Sequence, residues 1–256
     1  MYDQRPEFHP PTDQNARIWR YMSLGKLASL LDKEALFFAR SDRLGDPFEG
    51  SSPIAFKAIR SDFIRAQPLT ETIRRQLETE ISSIAKMFRR FVCINCWHIN
   101  STESAAMWKL YSKTADAIAV QSTFHQLVTS FKADSPSVYV GKVNYGDYDS
   151  EAVGGDSLLG TFLWKRLSFE HERELRAVVQ VPTSCPPIEL VKRSLDPAGV
   201  SEGLYVPVDT NVLIERIHVY PAAPGWFREA CQAVVEKFGL SRGICVQSRM
   251  DKEPFF

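Results

Sequence analysis

Apolar and polar positions change period several times along this chain, and the changes mark out its elements. Ile18-Trp19-Arg20-Tyr21-Met22 reads as a short strand, and Leu24, Leu27, Leu30 and Leu31 then recur at helical spacing behind Ser23, which predicts a helix with Ser23 as its N-cap. A second strand is expected over 35–39, then a loop over 42–50 broken by Gly45 and Pro47. From 54 to 90 the pattern is helical. Ile73, Leu77, Ile81, Ile84 and Phe88 mark one face, and Gln67-Pro68 splits the stretch into two helices. Residues 91–97 form the clearest central strand, after which Ser101 or Thr102 caps a helix through Met107, Trp108 and Tyr111. Strands are expected over 117–120 and 138–145 with a short helix near 124–131 between them, then a loop over 147–160 and a helical turn over 161–166. Further strands are expected over 175–181, 204–208, 216–220 and 244–247, with a helix over 226–238 between the last two. Residues 1–16, with Pro6, Pro10 and Pro11, read as an irregular arm, and residues 17–256 as a single domain. Many short strands among helices argue α+β.

The segment Glu172-Arg173-Glu174-Leu175-Arg176 carries the most chemistry. Strand alternation puts Glu172, Glu174 and Arg176 on one face, successive members roughly 6–7 Å apart. Crowded carboxylates beside a guanidinium have their pKa values pushed in opposite directions. One reading is a solvated strand start; the other is a paired-carboxylate site.

Composition narrows the classes. The chain has 256 residues, 44% apolar and 24% charged, with 31 basic against 31 acidic residues. A neutral chain has no global pull toward nucleic acid or an acidic membrane, so the sequence carries no strong nucleic-acid signal. The basic excess of the 54–90 insert reads as a solvated helical face. No apolar run approaches the ~18 residues of a membrane span. Cys93, Cys96, Cys185, Cys231 and Cys245 are odd in number and scattered, which fits a reduced, cytoplasmic compartment.

Cys93 and Cys96 lie three apart on a strand, so their thiols diverge; with no second ligand pair, no metal is expected. Glycine-rich phosphate loops and the Gly-x-Ser-x-Gly elbow are missing. Trp108 and Tyr111 share a helix face, either as core packing or as walls for a flat ligand. Arg20 sits inside an apolar strand and needs an anion: a salt bridge to Asp46 or Glu49, or a ligand pyrophosphate or ribose. The Asp46-Pro47-Phe48-Glu49-Gly50 loop is a turn, and a site rim if Arg20 is near. Lys165-Arg166 either balances the acidic segment or binds an anionic substrate.

Several segments together resemble a large bacterial family known as domain of unknown function two-nine-seven-one. They are Trp19 to Leu24, Arg43 to Gly50, Cys96-Trp97-His98, Ser104 to Tyr111, Lys165-Arg166 with Ser168 to Arg176, and Pro221 to Phe227. A looser resemblance is to the ADP-ribosyltransferase fold, one class of which uses an Arg on its first strand, a hydroxyl-bearing Ser-x-Ser strand and a Glu-x-Glu entering a later one. This resemblance implies NAD as substrate and cleavage of its nicotinamide–ribose bond, by transfer to an acceptor or to water. Arg20 and Tyr21 would bind the dinucleotide together with Trp108, Tyr111 and Lys165. Glu174 would stabilise the oxocarbenium-like ribose and Glu172 would orient the acceptor. The middle strand, Cys93-Ile94-Asn95-Cys96-Trp97, has no serine or threonine, so Asn95 is the candidate to supply that hydrogen bond. The resemblance also implies a toxin or phage-defence setting, and the alternative is a non-catalytic ligand-binding or interaction module. The resulting architecture is a single α+β domain, a mixed or antiparallel split sheet with flanking helices and the helical insert at 54–90.

Overall fold

The computed structural model describes residues 1–111, 116–150, 157–183, 189, 191, 197 and 199–251; Cys185 lies outside them. Its strands are β1 (Tyr2–Asp3), β2 (Arg17–Ser23), β3 (Ala35–Arg40), β4 (Val92–Ile99), β5 (Ala117–Thr123), β6 (Val138–Lys142), β7 (Asn144–Gly146), β8 (Trp164–Arg166), β9 (Glu174–Gln180), β10 (Gly203–Pro207), β11 (Arg216–Val219) and β12 (Cys245–Gln247). Its helices are α1 (Leu24–Lys33), α2 (Ile54–Ala66), α3 (Glu71–Phe88), α4 (Ala105–Tyr111), α5 (Phe124–Ser130), α6 (Thr210–Leu213) and α7 (Gly225–Lys237). The mixture is α+β in one compact domain.

Local chemistry sets the boundaries. The Ser23 hydroxyl accepts the Lys26 N–H and caps α1, as its position predicts. At the other end Glu34 turns left-handed (φ 43°) and its N–H returns to the Leu30 and Leu31 carbonyls. The insert splits at Gln67, which is extended ahead of Pro68, and Thr70 restarts the helix by accepting the Ile73 N–H. Capping of α4 falls later than expected: Ser104, rather than Ser101 or Thr102, accepts the Met107 N–H. The strand expected over 138–145 breaks after Lys142, where the Val143 N–H turns to the Glu174 carbonyl. Its continuation, β7, pairs with β8 in a separate two-stranded sheet, so 161–166 is half 3₁₀ turn (Gly160–Leu163) and half strand.

The arm is not loose. β1 adds to the edge of β6 in parallel, the Lys142 N–H donates to the His9 carbonyl, and Phe8 is buried beside Tyr139. Eight of the large sheet's strands run in the order β1-β6-β9-β4-β2-β5-β11-β12, with β3 bridging β4 and β10. One face carries the main core. Ile18, Met22, Leu36, Trp97, Leu175 and Val219 pack there with Leu27 and Leu30 of α1, Leu127 of α5 and Cys231 and Val235 of α7. On the other face Val92, Ile94 and Val178 meet Phe8, Leu159 and Phe162, while Trp19, Tyr21 and Ala119 meet Met107 and Trp108 of α4.

The feature that makes a site is a split. β2 pairs with β4 only at Ile18–Ile99 and Trp19–His98. Beyond that point β2 follows β5 through Ser23, and β4 follows β9 and takes β3 as its other neighbour at Ile94 and Cys93. The two central strands therefore diverge and leave a cleft between them.

Candidate active site

The cleft is a cavity of about 490 Å³, within the range of small-molecule sites. Because side chains alternate along strands, a gap between strands takes its lining from both faces of the sheet. Arg20, Met22, Leu30, Leu36 and Trp97 line it from the main-core side, and Tyr21, Cys96, His98, Met107, Tyr111, Glu172 and Glu174 from the other.

Glu172 and Glu174 meet at its floor by a route that strand alternation does not give. Glu172 ends a 3₁₀ turn (Leu167–Glu172), Arg173 is left-handed (φ 41°), and β9 begins only at Glu174. The expected shared strand face thus holds for Glu174 and Arg176 but not for Glu172. Lys165 joins the carboxylates, its Nζ 2.5 Å from Glu172 Oε2 and 2.7 Å from Glu174 Oε1. Arg176 Nε donates to Glu174 Oε2 at 2.6 Å, and its two terminal nitrogens grip Glu49 at 2.6 and 2.9 Å. Arg176 also donates to the Phe162 carbonyl. Gly50 (φ 66°) holds this loop where a Cβ would collide with the Phe162 ring, so a side chain there would displace Glu49.

The result is a buried chain of alternating charge, Glu49–Arg176–Glu174–Lys165–Glu172, in which every member is 9% exposed or less. Burial opposes ionisation of Glu174, but Arg176 and Lys165 win and hold its carboxyl well below the usual range. Glu172 has only Lys165 as a cation and shares a hydrogen bond with Glu174, so burial pushes it up to about 7. The opposed shifts expected from the sequence are present.

Arg20 makes neither of the salt bridges open to it from the sequence. Asp46 pairs with Arg166, and Glu49 with Arg176. Arg20 reaches the Phe37 carbonyl at 3.5 Å and lies over the Trp97 ring at 6.0 Å from its centre, its other terminal nitrogen has no hydrogen-bond partner, and desolvation lowers its pKa to about 10, leaving it charged at neutral pH. Two further buried polar atoms of cleft residues lack partners, Trp97 Nε1 and His98 Nε2. Unpaired buried polar atoms are costly, and three of them belong to residues that line this one cavity.

Other expected residues are placed differently. Tyr111 lines the cleft and is half exposed. Trp108 does not line it: it is 2% exposed, packs against Tyr21 and Tyr220, and donates to Glu103. Its helix turn aims it at the underside of β2. Asn95 is also outside the lining and ties β4 to β3 by donating to the Phe37 carbonyl at 2.8 Å. Lys165 lies behind the carboxylates rather than in the cleft. Cys93 and Cys96 fall into different packing clusters, as strand alternation requires, and no group of metal-ligating residues occurs among the described residues. None of the described helices is long and apolar enough to cross a membrane. In the sequence Trp97 ends the central strand, and His98 stands out only in the Cys96-Trp97-His98 segment of the family resemblance; neither is marked as a site residue.

No protein-family model and no curated protein matches this sequence, so the resemblance to family two-nine-seven-one has no family model behind it. Solved structures of DarT from Thermus sp. 2.9 do match. The complex with NAD+ is 13% identical with a TM-score of 0.42, covering 94% of this chain and 98% of that one. The complex with carba-NAD+ is 12% identical (TM-score 0.37; 93% and 98% covered), and that with ADP-ribosylated single-stranded DNA 13% identical (TM-score 0.41; 95% and 97% covered). Superposition at this level carries no residue-by-residue correspondence.

Proposed function

We propose that the cleft binds NAD and that the chain acts as an ADP-ribosyltransferase-like enzyme, cleaving the nicotinamide–ribose bond over Glu174. The observation that carries this reading is an Arg20 with no carboxylate partner in the same cavity as an ionised Glu174. Arg20 supplies a buried cation for the pyrophosphate, and Tyr111 offers a ring face to a flat base.

When the C1′–N bond breaks, its electron pair leaves with neutral nicotinamide and positive charge builds on the ribose. A carboxylate locked in place by Arg176 and Lys165 stabilises that charge without having to reorganise. Glu172, with a pKa near neutrality, is suited to take the proton of the attacking acceptor. Lys165 positions both carboxylates.

Full pairing of Glu174 with two cations also favours a second reading, a binding module whose carboxylates only hold the fold. Titration with NAD tests the binding step that the enzyme reading requires. Saturable binding by the wild type that falls at least tenfold in Arg20→Met is expected; the absence of binding in the wild type overturns the proposal.

A further inference from the structure

His98 belongs to β4 at the last residue pair before the sheet splits, opposite Trp19 on one side and Glu174 on the other. Its Nδ1 lies 2.6 Å from the Glu172 backbone carbonyl. A carbonyl only accepts, so Nδ1 carries the proton and the tautomer is fixed. Burial, helped by Arg173 and His171 nearby, lowers the ring's pKa and keeps it neutral. Nε2 is then a bare lone pair. It is fully buried in a side chain 4% exposed that lines the cleft, and it has no partner.

The two carboxylates of the cleft floor already receive bonds from cations. Glu174 receives bonds from Lys165 and Arg176, and Glu172 one from Lys165. The other two unpartnered atoms of the cavity, on Arg20 and Trp97, are donors. His98 Nε2 is thus the complementary feature. Among the unpartnered atoms of the cleft-lining residues it is the acceptor, and leaving it unfilled costs the full desolvation of a buried acceptor.

We propose that His98 is a specificity-determining residue whose Nε2 accepts a hydrogen bond from the bound dinucleotide. This inference rests on the NAD reading and deepens it. Two donors share that chemistry, the carboxamide N–H of nicotinamide and a ribose hydroxyl.

The test uses the whole chain and three probes: NAD, ADP-ribose, which lacks the carboxamide, and nicotinic acid adenine dinucleotide, which has a carboxylate in its place. His98→Asn keeps an N–H for the Glu172 carbonyl and deletes the Nε2 acceptor. His98→Gln returns an acceptor oxygen near the Nε2 position. For a carboxamide donor, the wild type prefers NAD to the nicotinic acid analogue, His98→Asn weakens NAD binding about tenfold while leaving ADP-ribose unchanged, and His98→Gln recovers part of the loss. Equal weakening of NAD and ADP-ribose by His98→Asn assigns the bond to a ribose hydroxyl. Wild-type affinity of His98→Asn for all three probes overturns the inference while leaving NAD binding intact. Failure of the wild type to bind NAD or ADP-ribose overturns the NAD reading itself. If His98→Asn does not fold, the wild-type probe preferences together with His98→Gln decide: no preference among the probes and equal affinity in His98→Gln overturn the inference.

Discussion

Replacing Arg176 with Met tests whether the buried charge chain is structural support for the cleft floor. Arg176 is 1% exposed and makes four polar contacts, two to Glu49 and one each to Glu174 and the Phe162 carbonyl. Met fills most of the volume but strands Glu49 and leaves Glu174 with Lys165 alone. Removing one partner of a buried ion pair costs about 3–5 kcal/mol, because an uncompensated charge stays behind. For a domain of this size that lowers the melting temperature by roughly 6–20 °C. The loss also depends on pH, in a direction the network fixes. Burial already raises the Glu49 carboxyl with Arg176 in place; without Arg176 it rises further and the lowered Glu174 carboxyl rises too, so the folded variant binds more protons than the folded wild type. The stability contribution of the two carboxyls is then lost as pH rises above the ordinary carboxylate value. The gap between wild type and variant therefore widens from pH 5 to pH 8, by up to about 1.4 kcal/mol per pH unit per group. Denaturant melts at the two pH values measure it. A loss under about 1 kcal/mol, or one equal at both pH values, refutes the network as drawn.

Arg20→Met, the variant expected to weaken NAD binding, is also expected to leave the melting temperature of the free protein unchanged or raised, because it removes a desolvated cation that has no anionic partner and only a long bond to the Phe37 carbonyl; a clear drop on calorimetry contradicts this. Glu172 has a raised folded pKa, so its stability contribution is complete below the unfolded carboxylate value and is lost as pH climbs through about 7. Glu172→Gln should flatten the stability–pH curve in that window, and an unchanged slope contradicts the assignment. Trp108→Phe deletes the bond to Glu103 and should cost about 1–3 kcal/mol on denaturation while leaving NAD affinity within twofold, since Trp108 lies outside the cleft.

Much of this arrangement was legible in the sequence where the signals are local. The Ser23 cap, the break at Gln67-Pro68 and the divergent thiols of Cys93 and Cys96 follow from spacing alone. The closeness of the Glu172 and Glu174 carboxylates is readable in the sequence, but the left-handed Arg173 between them is not, because no residue preference announces an αL arginine. Partners distant in sequence were also out of reach. Glu49 binds Arg176 across 127 residues, and the split that brings Trp97 and His98 to the cleft lining depends on how β2 and β4 pair with third strands. Trp108 and Tyr111 share a helix face by spacing, yet the packing of α4 against β2 buries one and leaves the other in the cleft. Arg20 was readable as a misfit in an apolar strand, and it remains one in the fold, which is why it points to a ligand.

The central claim is that Glu174 does chemistry rather than only holding the floor together. The direct measurement is nicotinamide release from NAD by the wild type and by Glu174→Gln, with NAD binding followed on the same samples. Gln keeps the shape, and its amide can still accept from Lys165 or Arg176, but it carries no charge. The account predicts NAD affinity within a few-fold of wild type and nicotinamide release slowed by about 10²–10³-fold. Equal release rates, or a wild type that binds NAD and never cleaves it, would contradict catalysis at Glu174 and leave the cleft as a binding site.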